Sequence, residues 1–389
     1  MNICIVSSGS IYDLIPPIYG GGIQNYIFSI SKCLVAKGHK IIVISGLSYS
    51  NLKQYEKIQG IEIYRIKKIR NKSLSTLSFS LNIIKILKEI IRKYKIQVIH
   101  TNSRVSTSII RLFFPNMPII FTEHNWDILI APPGYNAPSI FYPLMLIFEL
   151  MALKFSNSIV CLTKFSCAII KNLLWEKNIK KKIHHIPNFI DLTLLNKYNK
   201  KLEKKLGDKK FFIYIGRLEI EKNLFTLLRA FSYIIKEKPD LNLYIIGLGP
   251  LFNKLIKFKE ELKLKNCKIL GKITNKDKYT YLKNCKGLIL PSFYEIMPTV
   301  LLEAFAFKKP VIASSIPANK SLINDNSTGY LFDPNNIEQL INILRNILNN
   351  ESKSNTIGEN GYKILKNKFI LNTQIKKILQ VYRNYARKK

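Results

Sequence analysis

Short apolar runs alternate with stretches of helical periodicity along most of this chain. The apolar runs are typical of buried strands; they include NICIVS at 2–7, IIVIS at 41–45, FFIYI at 211–215 and PVIAS at 310–314. Between the first two runs, Ile23, Ile27, Ile30 and Leu34 recur at helical spacing, and Gly38 follows as a helix terminator. Strands that alternate with helices build parallel sheets, so the pattern predicts an α/β fold.

The alternation is interrupted once, near the middle of the chain. Residues 192–210 are rich in Lys and Asn and poor in apolar residues, and a second strand and helix series begins at FFIYIGRLEIEKN. A chain of 389 residues is also too long for one ordinary hydrophobic core. We therefore expect two α/β domains with a boundary near residue 190. The residues from 372 to the end predict a basic amphipathic helix.

One helix is apolar enough to raise the question of a membrane. Residues 139–155 (SIFYPLMLIFELMALKF) contain Glu149 and fall short of a spanning length, so they predict a core or interfacial helix. The apolar start at residues 2–7 is too short for a secretory signal and is interpreted as a strand. These features predict a cytoplasmic protein.

The formal charge of +36 has two possible explanations. The many Lys, Asn and Ile residues fit an AT-rich genome, whereas a functional origin would be attraction to phosphate-bearing substrates or to an anionic membrane. Residues 81–94 illustrate both, since their basic face suits either solvent or a membrane surface. Nucleic acid is disfavoured, because the basic residues are dispersed and form no known module. The six cysteines lack metal-ligand spacing and are expected to be reduced core thiols.

Candidate ligand groups follow the strands of both halves. In the first half, Gly21 and Gly22 precede a helix, and His124 follows the strand PIIFTE. The glycines fit either a flexible turn or a close backbone approach to phosphate or sugar, and His124 fits either a structural or a ligand-binding role. Polar groups at the carboxyl ends of parallel strands are where doubly wound sheets bind ligands.

In the second half, Gly216 and Arg217 end a strand, and Lys222 lies just before the next helix. An Arg and a Lys on such a loop suit a diphosphate, although plain surface charge is the alternative. Further along, Glu295 lies on a loop and Glu303 on a helix that opens near Pro298. The start of that helix offers unpaired N–H groups for a phosphate. The sequence lacks a G-x-G-x-x-G fingerprint with its acidic residue and a P-loop, which disfavours hydride transfer and ATP hydrolysis. It also lacks an Asp-x-Asp pair, the usual carboxylate pair for a bridging divalent metal.

The order of these motifs, GGIQNY, TEHN, HIPNFID, IYIGRLEIEKN, LYIIGLGP and SFYEIMPTVLLEAFAFKKPVIAS, resembles glycosyltransferase family 4 over nearly the whole chain. The combination of GRL..EKN with two Glu residues around the LLEA segment is the specific part. This resemblance implies the GT-B architecture, in which two Rossmann-like domains face each other across a cleft. It implies residues 1–190 with the C-terminal helix at about 370–389 as an acceptor-side domain, and residues 191–370 as a nucleotide-sugar domain.

The resemblance also implies roles at matching positions. Arg217 and Lys222 would hold the donor diphosphate, Glu303 the ribose, and Glu295 the donor sugar. His124 would touch the sugar from the N-terminal domain. The remaining donor contacts implied are Gly21, Gly22, Gly216, Ile273 near the base, and the backbone N–H groups of Thr299, Val300 and Leu301. Ile296 departs from the family, which commonly has Gly there, and this leaves the identity of the donor sugar open.

We thus expect a retaining, metal-independent hexosyltransferase that needs no cofactor besides its nucleotide-sugar donor. Its acceptor would be lipid-linked or a surface polysaccharide or lipopolysaccharide, with peripheral contact to an anionic membrane. A fixed Arg, Lys and helix dipole would stabilise the departing diphosphate, as Mg²⁺ does elsewhere. Three alternatives remain: a glycosyltransferase with a soluble acceptor, a non-catalytic sugar-nucleotide or polysaccharide-binding module, and a glycoside hydrolase that uses Glu295 and Glu303.

Overall fold

A computed structural model describes residues 1–10, 13–17, 21–48, 52–69, 71, 74–124, 142–174, 179–193, 195–196 and 210–386. The chain divides into two compact units. The N-terminal unit comprises Met1–Asn188 and Leu371–Lys389, and the C-terminal unit comprises Phe189–Ile370. Most of the predicted interdomain stretch, 192–210, lies outside the described residues.

The N-terminal unit is built on an eight-stranded sheet of order β3-β4-β2-β1-β5-β6-β7-β8. All neighbouring strands pair in parallel except β3 and β4, which are antiparallel. The central strands are buried along nearly their whole length, as expected for a sheet covered on both faces. The strands are β1 Asn2–Val6, β2 Lys40–Gly46, β3 Tyr55–Ile58, β4 Ile61–Ile66, β5 Val98–Thr101, β6 Ile119–Glu123, β7 Ser158–Cys161 and β8 Ile183–His185.

Helices of this unit bury one apolar face each. Along α2, Phe79, Ile83, Leu87 and Ile90 pack into a core with residues of β1, β2 and β5. This helix begins at Ser75, earlier than the apolar periodicity of residues 81–94 indicated. Its first turns bury polar residues, Ser75 and Ser80, which an apolar pattern does not reveal. The helices are α1 Gly22–Ala36, α2 Ser75–Tyr94, α3 Arg104–Phe113, α4 Tyr142–Phe155, α5 Lys164–Leu173, α6 Ile179–Lys182 and a C-terminal helix at Leu371–Tyr385.

The apolar helix α4 is held by an ion pair within the protein. Arg104 Nη1 lies 2.9 Å from Glu149 Oε2, and both side chains are largely buried. Breaking such a pair would leave an uncompensated charge, so it ties α4 to the start of α3. Among the described residues, no helix combines the length and apolarity that crossing a membrane requires.

The C-terminal unit contains a six-stranded sheet of order β11-β10-β9-β12-β13-β14, in which every pair is parallel. Its strands are β9 Phe211–Ile215, β10 Asn242–Ile246, β11 Cys267–Gly271, β12 Gly287–Leu290, β13 Val311–Ser314 and β14 Tyr330–Phe332. The order reverses at β9, whose neighbours are β10 and β12. Ligands of open parallel sheets bind outside the carboxyl ends at such a switch point.

Helices connect these strands and cover the sheet. They are α7 Leu224–Glu237, α8 Phe252–Glu261, α9 Asn275–Asn284, α10 Thr299–Ala306, α11 Pro317–Lys320, α12 Ile337–Asn349 and α13 Glu351–Lys368; the C-terminal helix is then α14. The prediction of an α/β fold with parallel sheets in both halves is confirmed. Helix α3 and the antiparallel strand β3 were not predicted. All six cysteines lie among the described residues and none is in a disulfide; five are buried and Cys33 is half-buried.

Candidate active site

The loop after β9 carries Gly216 and Arg217 and is held by the neighbouring loop after β10. Gly216 N–H donates to the Ile246 carbonyl at 3.0 Å, and the buried Tyr214 hydroxyl donates to the Arg217 carbonyl at 2.7 Å. Gly247 has φ +149°, and a side chain there would clash with the Gly216 carbonyl oxygen. Glycine is therefore required for the two loops to lie this close.

Lys222 ends a short 3₁₀ helix, Ile220–Lys222, and is largely buried. Its Nζ lies 2.9 Å from Glu295 Oε1, which also accepts from Ser292 Oγ at 2.8 Å. The Phe293 N–H donates to the Glu221 carbonyl at 2.8 Å, so the two loops are also joined through the backbone. Lys222 and Glu295, 73 positions apart in sequence, thus share one ion pair.

Arg217 is much more exposed than Lys222. Its guanidinium, 63% exposed, lies 2.7 Å from Glu219 and 3.5 Å from Glu221. Burial alone would raise the pKa of Glu221, but its hydrogen bond with Glu219 and the adjacent Lys222 and Arg217 hold the pKa below its ordinary value. These pairs are exposed on the arginine side only, because Glu219 and Glu221 are largely buried. The exposed side of the Arg217 guanidinium can still donate to an anion.

Helix α10 begins at Thr299 without a side-chain cap or an acidic residue in its first turn. The three predicted backbone donors at this helix start, Thr299, Val300 and Leu301, differ in whether they already have a partner. Leu301 N–H donates to the Pro298 carbonyl at 3.2 Å, as in a tight first turn, so it is already used. Thr299 and Val300 are therefore the better donors for an anion at this helix start.

Glu303, in the second turn of α10, has a partner that the sequence analysis missed. Lys278 Nζ, on α9, donates to Glu303 Oε1 at 2.8 Å, and both side chains are about 90% buried. The pattern of α9 contained the only available signal, since Lys278 occupies an inward-facing helical position beside the buried Tyr279 and Leu282. Ile273, predicted near a base, is half-buried in the loop between β11 and α9.

In the N-terminal unit, Gly21 is the N-terminal cap of α1, with φ +124°, and Gly22 is the first helical residue. The adjoining Gly20 lies outside the described residues. From the first turns of α1, the Tyr26 ring packs edge-on against His124, with ring centroids 5.0 Å apart. The glycine loop and His124 are thus linked through one helix.

Hydrogen bonds define which nitrogen of His124 carries a proton. Asn102 Nδ2 donates to the Val6 carbonyl at 3.0 Å, which turns Asn102 Oδ1 toward His124 Nε2 at 2.9 Å. An amide oxygen can only accept, so Nε2 must be the protonated nitrogen. Burial lowers the pKa of His124 to about 3, with a smaller contribution from His100. His124 is therefore a neutral imidazole whose Nδ1 is an acceptor.

Another histidine, His100, is fully buried and joins the C-terminal helix to this edge of the sheet. Its Nδ1 lies 2.6 Å from the Tyr382 hydroxyl on α14, and its Nε2 lies 2.6 Å from Thr122 Oγ1. Burial lowers the pKa of His100 to about 3. Sequence pattern cannot identify Tyr382 as the partner, because it lies 282 positions away.

The predicted site residues therefore form two groups. Arg217, Lys222 and Glu295 come together in the C-terminal unit, where Gly216, Ile273, Thr299, Val300 and Glu303 also lie at strand ends or helix starts. Gly21, Gly22 and His124 belong to the N-terminal unit. Parallel sheets with phosphate-suited cations beside a switch point define a class of proteins that act on nucleotide-linked substrates.

The comparisons with known proteins give this class a family. Residues 20–194 match the model described as Glycosyltransferase Family 4, and residues 196–364 match Glycosyl transferases group 1. The chain belongs to this family of glycosyltransferases and has the GT-B fold.

Similar proteins include two enzymes of Escherichia coli. One is O-antigen chain mannosyltransferase C, 25% identical, with 96% of each chain covered. The other is UDP-Gal:alpha-D-GlcNAc-diphosphoundecaprenol alpha-1,3-galactosyltransferase, 27% identical, with 90% of this chain and 97% of that protein covered. Among solved structures, sucrose-phosphate synthase from Thermosynechococcus elongatus shares the fold with a TM-score of 0.83 at 20% identity, over 99% of this chain and 98% of the other.

Proposed function

We propose that this glycosyltransferase moves a hexose, with retention of configuration, from a nucleoside-diphosphate sugar to a lipid-linked or surface-polysaccharide acceptor. The observation that carries this proposal is a cluster of charges on two neighbouring loops. The buried Lys222 pairs with Glu295, and the exposed Arg217 pairs with Glu219 and Glu221 on the same loop as Lys222. Two Escherichia coli relatives, an O-antigen chain mannosyltransferase and a galactosyltransferase for a diphosphoundecaprenol-linked sugar, support the acceptor class.

In the proposed reaction, negative charge grows on the departing diphosphate. Arg217 offers a planar fork of donors, Lys222 a second cation, and Thr299 and Val300 the N–H groups of a helix start. Fixed charges of this kind stabilise a transition state without needing to reorganise. We propose that these groups supply the stabilisation without a bound metal and that the enzyme uses no cofactor beyond its donor.

Glu295 is proposed to orient the donor sugar rather than attack it. Its Oε1 is occupied by Lys222 and Ser292, which holds the carboxylate in place. Glu303 is likewise the ion-pair partner of Lys278. A glycoside hydrolase needs two carboxyl groups at a fixed separation on either side of a sugar, and that reaction would leave Arg217 and Lys222 without a role. His124, neutral with Nδ1 as acceptor, suits a sugar hydroxyl.

The direct test is release of nucleoside diphosphate from a panel of nucleotide sugars, with and without an undecaprenyl-diphosphate-linked acceptor. We expect acceptor-dependent release that survives EDTA, and a product whose anomeric configuration by NMR equals that of the donor. Release stimulated equally by a sugar phosphate would favour a soluble acceptor. Donor binding without turnover would favour a non-catalytic module, and inversion or inactivation by EDTA would contradict the proposed mechanism.

Peripheral contact with an anionic membrane is proposed for the surface formed by α2, α3 and α4. Helix α3 packs against both other helices and exposes Leu112 and Phe113, by 63% and 59%, while α4 exposes Ile147. Lys88 and Arg92 of α2 line a groove with the residues that follow α3. Apolar side chains beside cations suit the interface of anionic lipids.

Flotation with vesicles tests this contact. We expect binding to phosphatidylglycerol vesicles that weakens with salt, little binding to phosphatidylcholine, and loss of binding in Leu112→Glu/Phe113→Glu. The matched control is Leu248→Glu, which changes an exposed leucine of the C-terminal unit. Equal binding of both variants, or none by the unmodified protein, would remove the membrane from the proposal.

A further inference from the structure

Lys278 is a buried lysine, and a buried charge requires a partner. It lies on α9 with only 8% of its surface exposed, and its Nζ is 2.8 Å from Glu303 Oε1. Lysine is seldom buried to this extent unless it is paired. The pair joins two helices at the carboxyl end of the sheet, beside the loop that carries Ile273.

Two contacts hold the Lys278 ammonium in position. Besides the bond to Glu303, Nζ lies 4.5 Å from the centroid of the Tyr279 ring, within the range of a cation–π interaction. Because Lys278 occupies Oε1, Oε2 is the Glu303 oxygen left for a ligand among the described residues. The bond to Oε1 thus fixes the orientation of the whole Glu303 carboxylate, including Oε2.

We propose that Lys278 is a positioning residue for the donor: it orients the Glu303 carboxylate so that Oε2 accepts from a hydroxyl of the nucleotide ribose. This inference rests on the proposed function, in which Glu303 anchors the ribose. Lys278 itself does not touch the donor. Lys278 would affect discrimination between ribose and deoxyribose, because the ribose hydroxyl gains a hydrogen bond only when the Glu303 carboxylate is correctly oriented.

The experiment is calorimetric titration of the full-length protein with ADP, GDP and UDP, followed by the 2′-deoxy and 3′-deoxy forms of whichever diphosphate binds most tightly. For the unmodified protein we expect one deoxy form to bind roughly 10- to 100-fold more weakly, the range for losing a hydrogen bond to a charged group. The quantity compared is the ratio of the dissociation constant of the deoxy form to that of the parent diphosphate. In Lys278→Met this ratio should fall toward one, as it should in Glu303→Gln. Combining the two substitutions should reduce it no further.

The ratio is measured within one preparation, so it does not depend on the folded fraction. Removing one member of a buried pair destabilises a protein, and Lys278→Gln, which keeps a donor without the charge, serves where the Met variant does not fold. The affinity ratio of Lys278→Gln should lie between that of the unmodified protein and that of Lys278→Met. The matched control is Lys276→Met on the same helix, where the exposed lysine should leave the ratio unchanged.

The outcomes separate the two proposals. A folded Lys278 variant that keeps the full ratio overturns the role of Lys278 and leaves the proposed function intact. An unmodified protein that binds a diphosphate without regard to the ribose hydroxyls overturns both the ribose anchor and this inference. Absence of binding by any nucleoside diphosphate overturns the proposed function itself.

Discussion

The candidate residues of the C-terminal unit are joined by ion pairs, whereas those of the N-terminal unit are joined by neutral hydrogen bonds. In the C-terminal unit, Lys222 meets Glu295 and Lys278 meets Glu303. In the N-terminal unit, burial lowers the pKa of both His100 and His124 to about 3, so both rings are uncharged near neutral pH. The chemistry of a nucleotide sugar divides in the same way, since the diphosphate is charged and the sugar is not.

This difference suggests a division of labour that can be tested on each side. Charged groups matter most where charge develops during the reaction, and neutral acceptors matter where hydroxyl groups are recognised. Substitutions in the C-terminal unit should therefore lower the rate of transfer. Substitutions in the N-terminal unit should change pH dependence, sugar recognition and stability.

The largest expected effect comes from the two cations on the loop after β9, Arg217 and Lys222. Arg217→Ala or Lys222→Ala should each cost about 2–4 kcal/mol of transition-state stabilisation, by analogy with the loss of an oxyanion donor. The measurement is kcat/KM for release of nucleoside diphosphate. Arg345→Ala and Lys308→Ala are matched controls, because both residues form exposed ion pairs with a glutamate. Near-normal rates in either site variant would show that the diphosphate charge is stabilised elsewhere.

Asn102→Asp would replace the neutral hydrogen bond between Asn102 and His124 with a charged one. A carboxylate next to Nε2 should raise the pKa of His124 by about 1–3 pH units. Nitrogen-15 NMR of labelled histidine reads out both the pKa and the protonated nitrogen. In the unmodified protein we expect a neutral ring with the proton on Nε2 throughout pH 5–8. A signal from the Nδ1–H form would refute the hydrogen-bond assignment.

Tyr382→Phe tests how α14 is attached to the N-terminal unit. The substitution leaves His100 Nδ1 without its partner in a buried site, which should lower the free energy of unfolding by about 1–3 kcal/mol. Denaturant titration measures it. Tyr385→Phe is the control, because that hydroxyl makes an exposed bond to the Lys181 carbonyl. Equal stability of the two variants would argue against the buried bond.

Per pH unit, the smallest effect expected is a pH dependence of stability. The pKa of His100 is about 3 in the folded state and about 6.5 when unfolded, so between these values the unfolded chain binds more protons. Stability should therefore fall as pH decreases below 6.5, by at most about 1.4 kcal/mol per pH unit for this group. His100→Gln should flatten the decline. The comparison with the unmodified protein is essential, because burial also lowers the pKa of His39, His184 and His185.

Local pattern was sufficient where a residue's role depends on its own element. Apolar runs identified most strands, and Pro298 predicted where α10 opens. The bond from Leu301 N–H to the Pro298 carbonyl could not be predicted from that pattern. Helix α3 escaped notice because six of its ten residues are buried, including three hydroxyl residues, Ser106, Thr107 and Ser108, which blur the apolar periodicity.

Partners distant in sequence could not be predicted from pattern. Lys278 and Tyr382 look like ordinary helix residues until the fold brings them to Glu303 and His100. Arg104 likewise explains why Glu149 is tolerated inside an apolar helix. In each case the second member of a buried polar pair offsets the free-energy cost of burying the first.

The sequence by itself determined the α/β class, the two series of strands and the family, because periodicity and motif order are properties of neighbouring residues. Only the tertiary structure decided which charges are paired, which histidine nitrogen is protonated and which helix-start donors are already used. Those properties depend on burial and on contacts across tens to hundreds of residues, where one hydrogen bond at 2.6 or 2.8 Å sets the state of a side chain.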